Sequence, residues 1–146
     1  MIEAYFDGAC HNHRDNKPAS CAYVVKENNV IIDQGGHFVA YNSTCNVAEY
    51  SGLIAALQAI IRLGKNTDFI QIYGDSALVI NQMAEKWRIR QGVYTPYAII
   101  AQNLKKKFID IDFRWIPRDL NYQADEIAEF YLNQFSPGLE DASARH

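Results

Sequence analysis

The chain has 146 residues, 49% hydrophobic and 21% charged, with a formal net charge of −3, which is the size and composition of one globular domain with its own core. Its three cysteines are an odd number without paired metal-ligand spacing, so neither a disulfide framework nor a zinc site is indicated, and a reduced setting is suggested. Glu3 and Asp7 near the start exclude a signal or transit peptide, and no apolar run reaches the length of a membrane span; a soluble, cytoplasmic domain is expected.

Residues 2–6 read as a short strand ending at Asp7-Gly8, a pair suited to a turn. A polar loop follows, then strands over residues 21–26 and 30–40, the latter with a bulge expected at Gly35-Gly36. Connections this short predict an antiparallel meander. The period then changes: Val47, Tyr50, Ile54, Leu57 and Ile61 step by three and four along one helix face, closed by Gly64. Residues 69–73 form a strand and residues 76–85 a helix with Val79 and Met83 inward. Pro96 opens a helix whose apolar stripe is Tyr97, Ile100, Leu104 and Phe108. Ile111, Phe113 and Trp115 alternate with polar residues in a last strand, with Trp115 in the core. Asn121 caps a final helix carrying Ala124, Ile127, Ala128 and Tyr131. The expected domain is residues 1–135, with residues 136–146 a flexible tail.

Right-handed crossovers set the later strands parallel to the first, which gives an α/β fold with a mixed five-stranded sheet and helices on both faces. Ligands of such sheets bind beyond the carboxyl ends of the parallel strands. Asp7 ends the first strand and Asp75 the fourth, so both carboxylates are expected at one edge. Glu49 and Asp125 begin helices near that edge. Each acid alone has an ordinary explanation: Asn46 to Glu49 is a capping box, Asp75 an N-cap, and Asp125 a favourable charge in a first turn. Together they repel one another unless cations lie between them. Hard oxygen donors in this number suit Mg²⁺, with Mn²⁺ able to substitute. Two such ions would activate water and stabilise a leaving oxygen in phosphodiester cleavage. The negative net charge argues only weakly against a polyanionic substrate, because the basic residues are grouped, as at Lys86, Arg88 and Arg90.

Four phrases in order carry a resemblance: Tyr5-Phe6-Asp7-Gly8-Ala9-Cys10, Thr44-Cys45-Asn46-Val47-Ala48-Glu49-Tyr50, Tyr73-Gly74-Asp75-Ser76, and Trp115-Ile116-Pro117-Arg118 running on to Gln123-Ala124-Asp125. From Tyr5 to Leu132 the chain resembles a type 1 ribonuclease H, nearest the compact, archaeal-like members. The resemblance implies a ribonuclease H-like fold and a two-metal endonuclease that cuts the RNA strand of RNA–DNA hybrids, leaving 5′-phosphate and 3′-hydroxyl ends. In that frame Asp7 bridges both ions and Glu49 holds one while contacting a ribose hydroxyl. Asp75 helps orient the attacking water, and Asp125 binds the second ion.

Two departures stand out. The glycine-rich turn of many bacterial members is replaced by residues 11–16, and the loop before the last helix has no histidine. Arg118 in that loop is expected to steady phosphate charge, although it cannot shuttle a proton near neutral pH. By the same resemblance Cys10, Asn12 or His13, Thr44 and Asn46 lie against the minor groove, where 2′-hydroxyls distinguish RNA. Ser76 touches sugar or phosphate. Trp87 with Arg88 and Arg90 offers a surface for the DNA strand, unless Trp87 is simply a core residue. The expected enzyme is a monomer with no membrane partner. The competing readings are another nuclease on the same scaffold, a binding module without cleavage, a structural domain whose acids only cap helices, and a nuclease domain of a polymerase polyprotein.

Overall fold

The computed structural model describes residues 1–11 and 16–135. Asn12 and His13, and the segment from residue 136 onward, lie outside the described residues. The elements are β1 (Ile2–Cys10), β2 (Ala19–Glu27), β3 (Val30–Ala40), α1 (Cys45–Arg62), β4 (Phe69–Gly74), α2 (Ala77–Met83), α3 (Thr95–Lys105), β5 (Asp110–Trp115), a 3₁₀ turn (Arg118–Asn121) and α4 (Tyr122–Phe135). The sheet order is β3-β2-β1-β4-β5. β1, β2 and β3 pair antiparallel, and β4 joins β1 and β5 in parallel, as the crossovers predict.

Two apolar layers form because helices cover both faces. Ile2, Ala4 and Phe6 of β1 meet Leu53, Ala56, Leu57 and Ile60 of α1 in the main core, which also takes in Val79, Met83, Ala98 and Ala101 from α2 and α3. Under α4, Ala9 and Ala22 meet Ala128 and Leu132 in a smaller cluster. Alternation along β1 puts Asp7 on the same face as Ala9, the face that α4 covers.

The main departure from the sequence reading positions the site. β1 does not turn at Asp7-Gly8; it continues to Cys10 because residues 7–10 pair with Ala22, Cys21, Ser20 and Ala19 of β2. Its pairing with β4 stops at Tyr5↔Tyr73. Past that point β1 and β4 separate, and Asp7 and Asp75 flank the opening. Gly8 is required by close approach, not by a left-handed backbone: a Cβ there would lie 2.4 Å from the Ala48 carbonyl carbon and the Glu49 nitrogen.

Other expectations shift for local reasons. The irregularities between β2 and β3 fall at Ala19/Ser20 and Val25/Lys26, while Gly35 and Gly36 pair regularly with Tyr23 and Ala22. These glycines leave room for the Tyr23 ring and for Tyr131 and Ile127 of α4. In α3 the buried face is Ala98 and Ala101, with Ile100 turned outward at 46% exposure. Trp115 is not core: it is 53% exposed at the end of β5. Cys10 and Cys45 form a disulfide, Cα atoms 5.5 Å apart, correcting the expectation of none. They are 35 residues apart in the chain, so spacing gave no sign that β1's end meets α1's start. Cys21 is buried and free.

Candidate active site

The caps decide which acids are free. α1 is capped by Thr44, whose Oγ1 accepts from the Val47 amide at 3.2 Å, so Glu49 lies inside the helix and is not part of a capping box at Asn46. α2 is capped in the same way by Ser76, accepting from Val79 at 3.2 Å, which releases Asp75. Asp125 does occupy the first turn of α4. Asn121 does not cap that helix: its side chain turns inward.

Asp7, Glu49 and Asp75 each present an oxygen within 4.8 Å of the others. Asp7 is 3% exposed, and its Oδ1 accepts from the Gly8 amide at 2.9 Å. The Oε1 of Glu49 is buried with no hydrogen-bond partner. Asp125 stands beside Asp7, whose pKa it helps to raise, and receives Arg118 Nη2 at 3.4 Å. Three of the four predicted acids form the tight group at one opening, and Asp125 neighbours two residues of that opening, Asp7 and Arg118.

Burial first, then the charges of Glu49 and Asp75, push Asp7 far above the usual carboxylate range. Burial followed by the charge of Asp75 raises Glu49 as well. Both shifts state the same physics: oxygens crowded in poor solvent resist ionisation until positive charge arrives. Hard carboxylate donors with one buried oxygen left unpaired fit a divalent cation of the Mg²⁺ kind. The opening is a cavity of about 190 Å³ lined by Asp7, Gly8, Ala9, Cys10, Cys45, Glu49, Asp75, Arg118 and Glu129. Among the described residues Arg118 is the only cationic side chain in that lining, and it is largely exposed, so none of them plugs the group with an ammonium or guanidinium.

The remaining predicted residues are distributed unevenly. Cys10 lines the opening, but its sulfur is engaged with Cys45 and is not a free thiol for a sugar. Thr44 and Asn46 are exposed at the start of α1. The hydroxyls of Thr44 and Ser76 accept from backbone in their caps, which leaves the O–H of each able to donate outward. Trp87 is 49% exposed and not core; with Leu78, Gln82, Lys86, Arg88 and Arg90 it lines a separate cavity of about 410 Å³. Sequence reasoning missed Asn121, Glu129 and Cys45. Glu129 had a signal, since it lies one turn beyond Asp125 on α4.

The chain matches the family model described as reverse transcriptase-like over residues 5–131. It is 34% identical to ribonuclease HI of Halobacterium salinarum over 90% of its own length and 64% of the relative's. The crystal structure of RNase H1 from that archaeon superposes with a TM-score of 0.81 at 33% identity, over 91% of this chain and 98% of that one. The chain belongs to the type 1 ribonuclease H family. Another relative is a bifunctional protein of Mycobacterium tuberculosis, 37% identical over 59% of this chain, of which the chain spans 23%. LC11-RNase H1, solved in complex with an RNA/DNA hybrid, shares the ribonuclease H fold at a TM-score of 0.83 and 22% identity, covering 92% of this chain and 98% of that one.

Proposed function

We propose that this ribonuclease H hydrolyses the RNA strand of RNA–DNA hybrids with divalent ions held by Asp7, Glu49, Asp75 and Asp125, leaving 5′-phosphate and 3′-hydroxyl ends. The observation that carries the proposal is the group of three carboxylates within 4.8 Å, with one Glu49 oxygen buried and unpartnered. A structural role for the acids would predict capping bonds, and Thr44 and Ser76 make those instead. The relatives named as ribonucleases H, and the hybrid bound to LC11-RNase H1, support the substrate class.

Mg²⁺, or Mn²⁺ in its place, would supply activation of water and stabilisation of the leaving oxygen. The chain's own groups do the rest. Asp7, central in the group, would hold both ions; Glu49 would hold one and accept a hydrogen bond from a ribose 2′-hydroxyl, the group that distinguishes RNA. Asp75 would orient the attacking water and Asp125 anchor the second ion. Arg118 would neutralise phosphate charge at the rim. Thr44 and Asn46, at the start of the helix that carries Glu49, and Ser76, next to Asp75, would meet sugar and phosphate, while Trp87, Arg88 and Arg90 would take the DNA strand. The same proposal has the nuclease domain ending near residue 135 and acting as a monomer in the cytoplasm.

The test is cleavage of a labelled RNA–DNA hybrid beside matched double-stranded DNA and RNA, with Mg²⁺, Mn²⁺ or EDTA. The RNA strand of the hybrid is cut, and EDTA or Asp7→Asn abolishes cutting. Equal cutting of double-stranded DNA would transfer the site to another nuclease chemistry, and tight binding without cutting would make the protein a hybrid-binding module.

A further inference from the structure

Asn121, expected only as a helix cap, has no place in the proposed mechanism. It is 1% exposed in the 3₁₀ turn ahead of α4. Its Nδ2 donates to the Phe6 carbonyl at 2.9 Å and to Asp75 Oδ1 at 3.2 Å. Both partners can only accept, so they fix which end of the amide faces them. The other end, Oδ1, is buried without a hydrogen-bond partner. A buried amide that leaves an acceptor unsatisfied is a poor choice for stability alone.

Its location explains what it does. Phe6 lies one residue past the last β1–β4 pair and one before Asp7. Asn121 bridges the two strands where they separate, holding the backbone before Asp7 and the side chain of Asp75 with a single NH₂ group. We infer that Asn121 is a positioning residue that keeps the Asp75 carboxylate turned into the acid group against the repulsion of Glu49 and Asp7. A neutral donor suits this task. A lysine or arginine would hold the carboxylate more strongly but would neutralise the charge that a cation needs. Trp115 supports the same residue from its backbone side, its indole Nε1 donating to the Asp75 carbonyl at 3.2 Å.

This role rests on Asp75 being a metal ligand, as proposed above. It is tested by Mn²⁺ binding without substrate, followed by electron paramagnetic resonance, and by the Mg²⁺ dependence of hybrid cleavage. Asn121→Leu keeps a branched side chain of similar size and removes the donor; Asn121→Ser keeps one donor and serves as the variant if the leucine protein does not fold. Loss of a partner that orients a metal ligand costs on the order of tenfold in metal affinity. Asn121→Leu should weaken Mn²⁺ binding by about that factor and raise the Mg²⁺ needed for half-maximal rate in proportion. Much of kcat should return at saturating Mg²⁺, and Asn121→Ser should fall between. In an Asp75→Asn background the same replacement should cost no further affinity. Equal losses in both backgrounds, or a lowered melting temperature with unchanged metal dependence, would overturn the role. A wild-type protein that neither binds Mn²⁺ nor cuts hybrid would overturn the functional proposal itself and take this inference with it.

Discussion

Thr44 and Ser76 do the helix capping for which Glu49 and Asp75 are otherwise suited. This division of labour leaves two carboxylates free of capping bonds at the opening beside Asp7. Arg118 faces the fourth acid in the opposite situation, paired with Asp125 at 3.4 Å while its own side chain is 73% exposed. An exposed pair of this kind contributes little to folding. It does place a fixed positive charge beside a carboxylate proposed above to hold an ion, where it would compete with a cation and attract a phosphate. Two effects of Arg118→Ala should therefore separate. Turnover should fall several-fold with KM little changed, because phosphate charge is less well neutralised, while the Mg²⁺ concentration for half-maximal rate should fall as Asp125 is released. Steady-state kinetics across a Mg²⁺ series measures both. An unchanged kcat would remove Arg118 from the reaction.

At the scale of elements, the site depends on how closely α1 lies against β1. Gly8 on the strand and Gly52 on the helix make this approach possible: a Cβ on Gly52 would lie 2.5 Å from the Asp7 carbonyl oxygen. Backbone cannot rotate aside as a flexible side chain can. Overpacking of this kind costs about 1–3 kcal/mol, more than the roughly 1 kcal/mol that alanine gains over glycine in a helix. Gly52→Ala should lower the thermal midpoint and weaken Mn²⁺ binding together, since the displaced element carries Glu49; a stabilised variant would contradict the packing described. Much of this layer was legible beforehand. The 3.6-residue period marked α1, and crossover handedness brought Asp7 and Asp75 to one edge. What periodicity could not show was contact across the chain. Gly8 read as a turn because Asp-Gly usually makes one, whereas its reason lies 40 residues away at Ala48. Cys10 and Cys45 looked unpaired for the same reason, and Asn121 looked like a cap because its acceptors lie on β1 and after β4. Trp115 shares the face of β5 that buries Phe113, but it is the strand's last residue and its ring is 53% exposed there.

For the whole molecule, the acid group links stability to pH and metal. Asp7 and Glu49 ionise near 3.8 and 4.5 when unperturbed and far more reluctantly in the fold, because of burial and then neighbouring negative charge. Above those values the unfolded chain releases protons that the folded chain retains. With more protons bound to the folded state, stability falls as pH rises, until the folded carboxyls also ionise. His37 acts oppositely: burial lowers its pKa from 6.5, so its penalty appears as pH falls below that value. On the proposed function, divalent ions would bind the ionised carboxylates of the folded state and stabilise it increasingly as the ion concentration rises above the dissociation constant. The melting temperature without metal should therefore decline from about pH 5 to about pH 8, and the increment produced by Mg²⁺ should widen over the same interval. Asp7→Asn removes the charge most crowded by its neighbours, so it should flatten the decline, shrink the Mg²⁺ increment and raise the metal-free melting temperature at the upper end. Thermal melts of both proteins with Mg²⁺ and with EDTA at each pH isolate the acid group from His37, which the two share. Parallel curves for wild type and Asp7→Asn would mean that these carboxylates are not under the mutual repulsion on which ion binding depends.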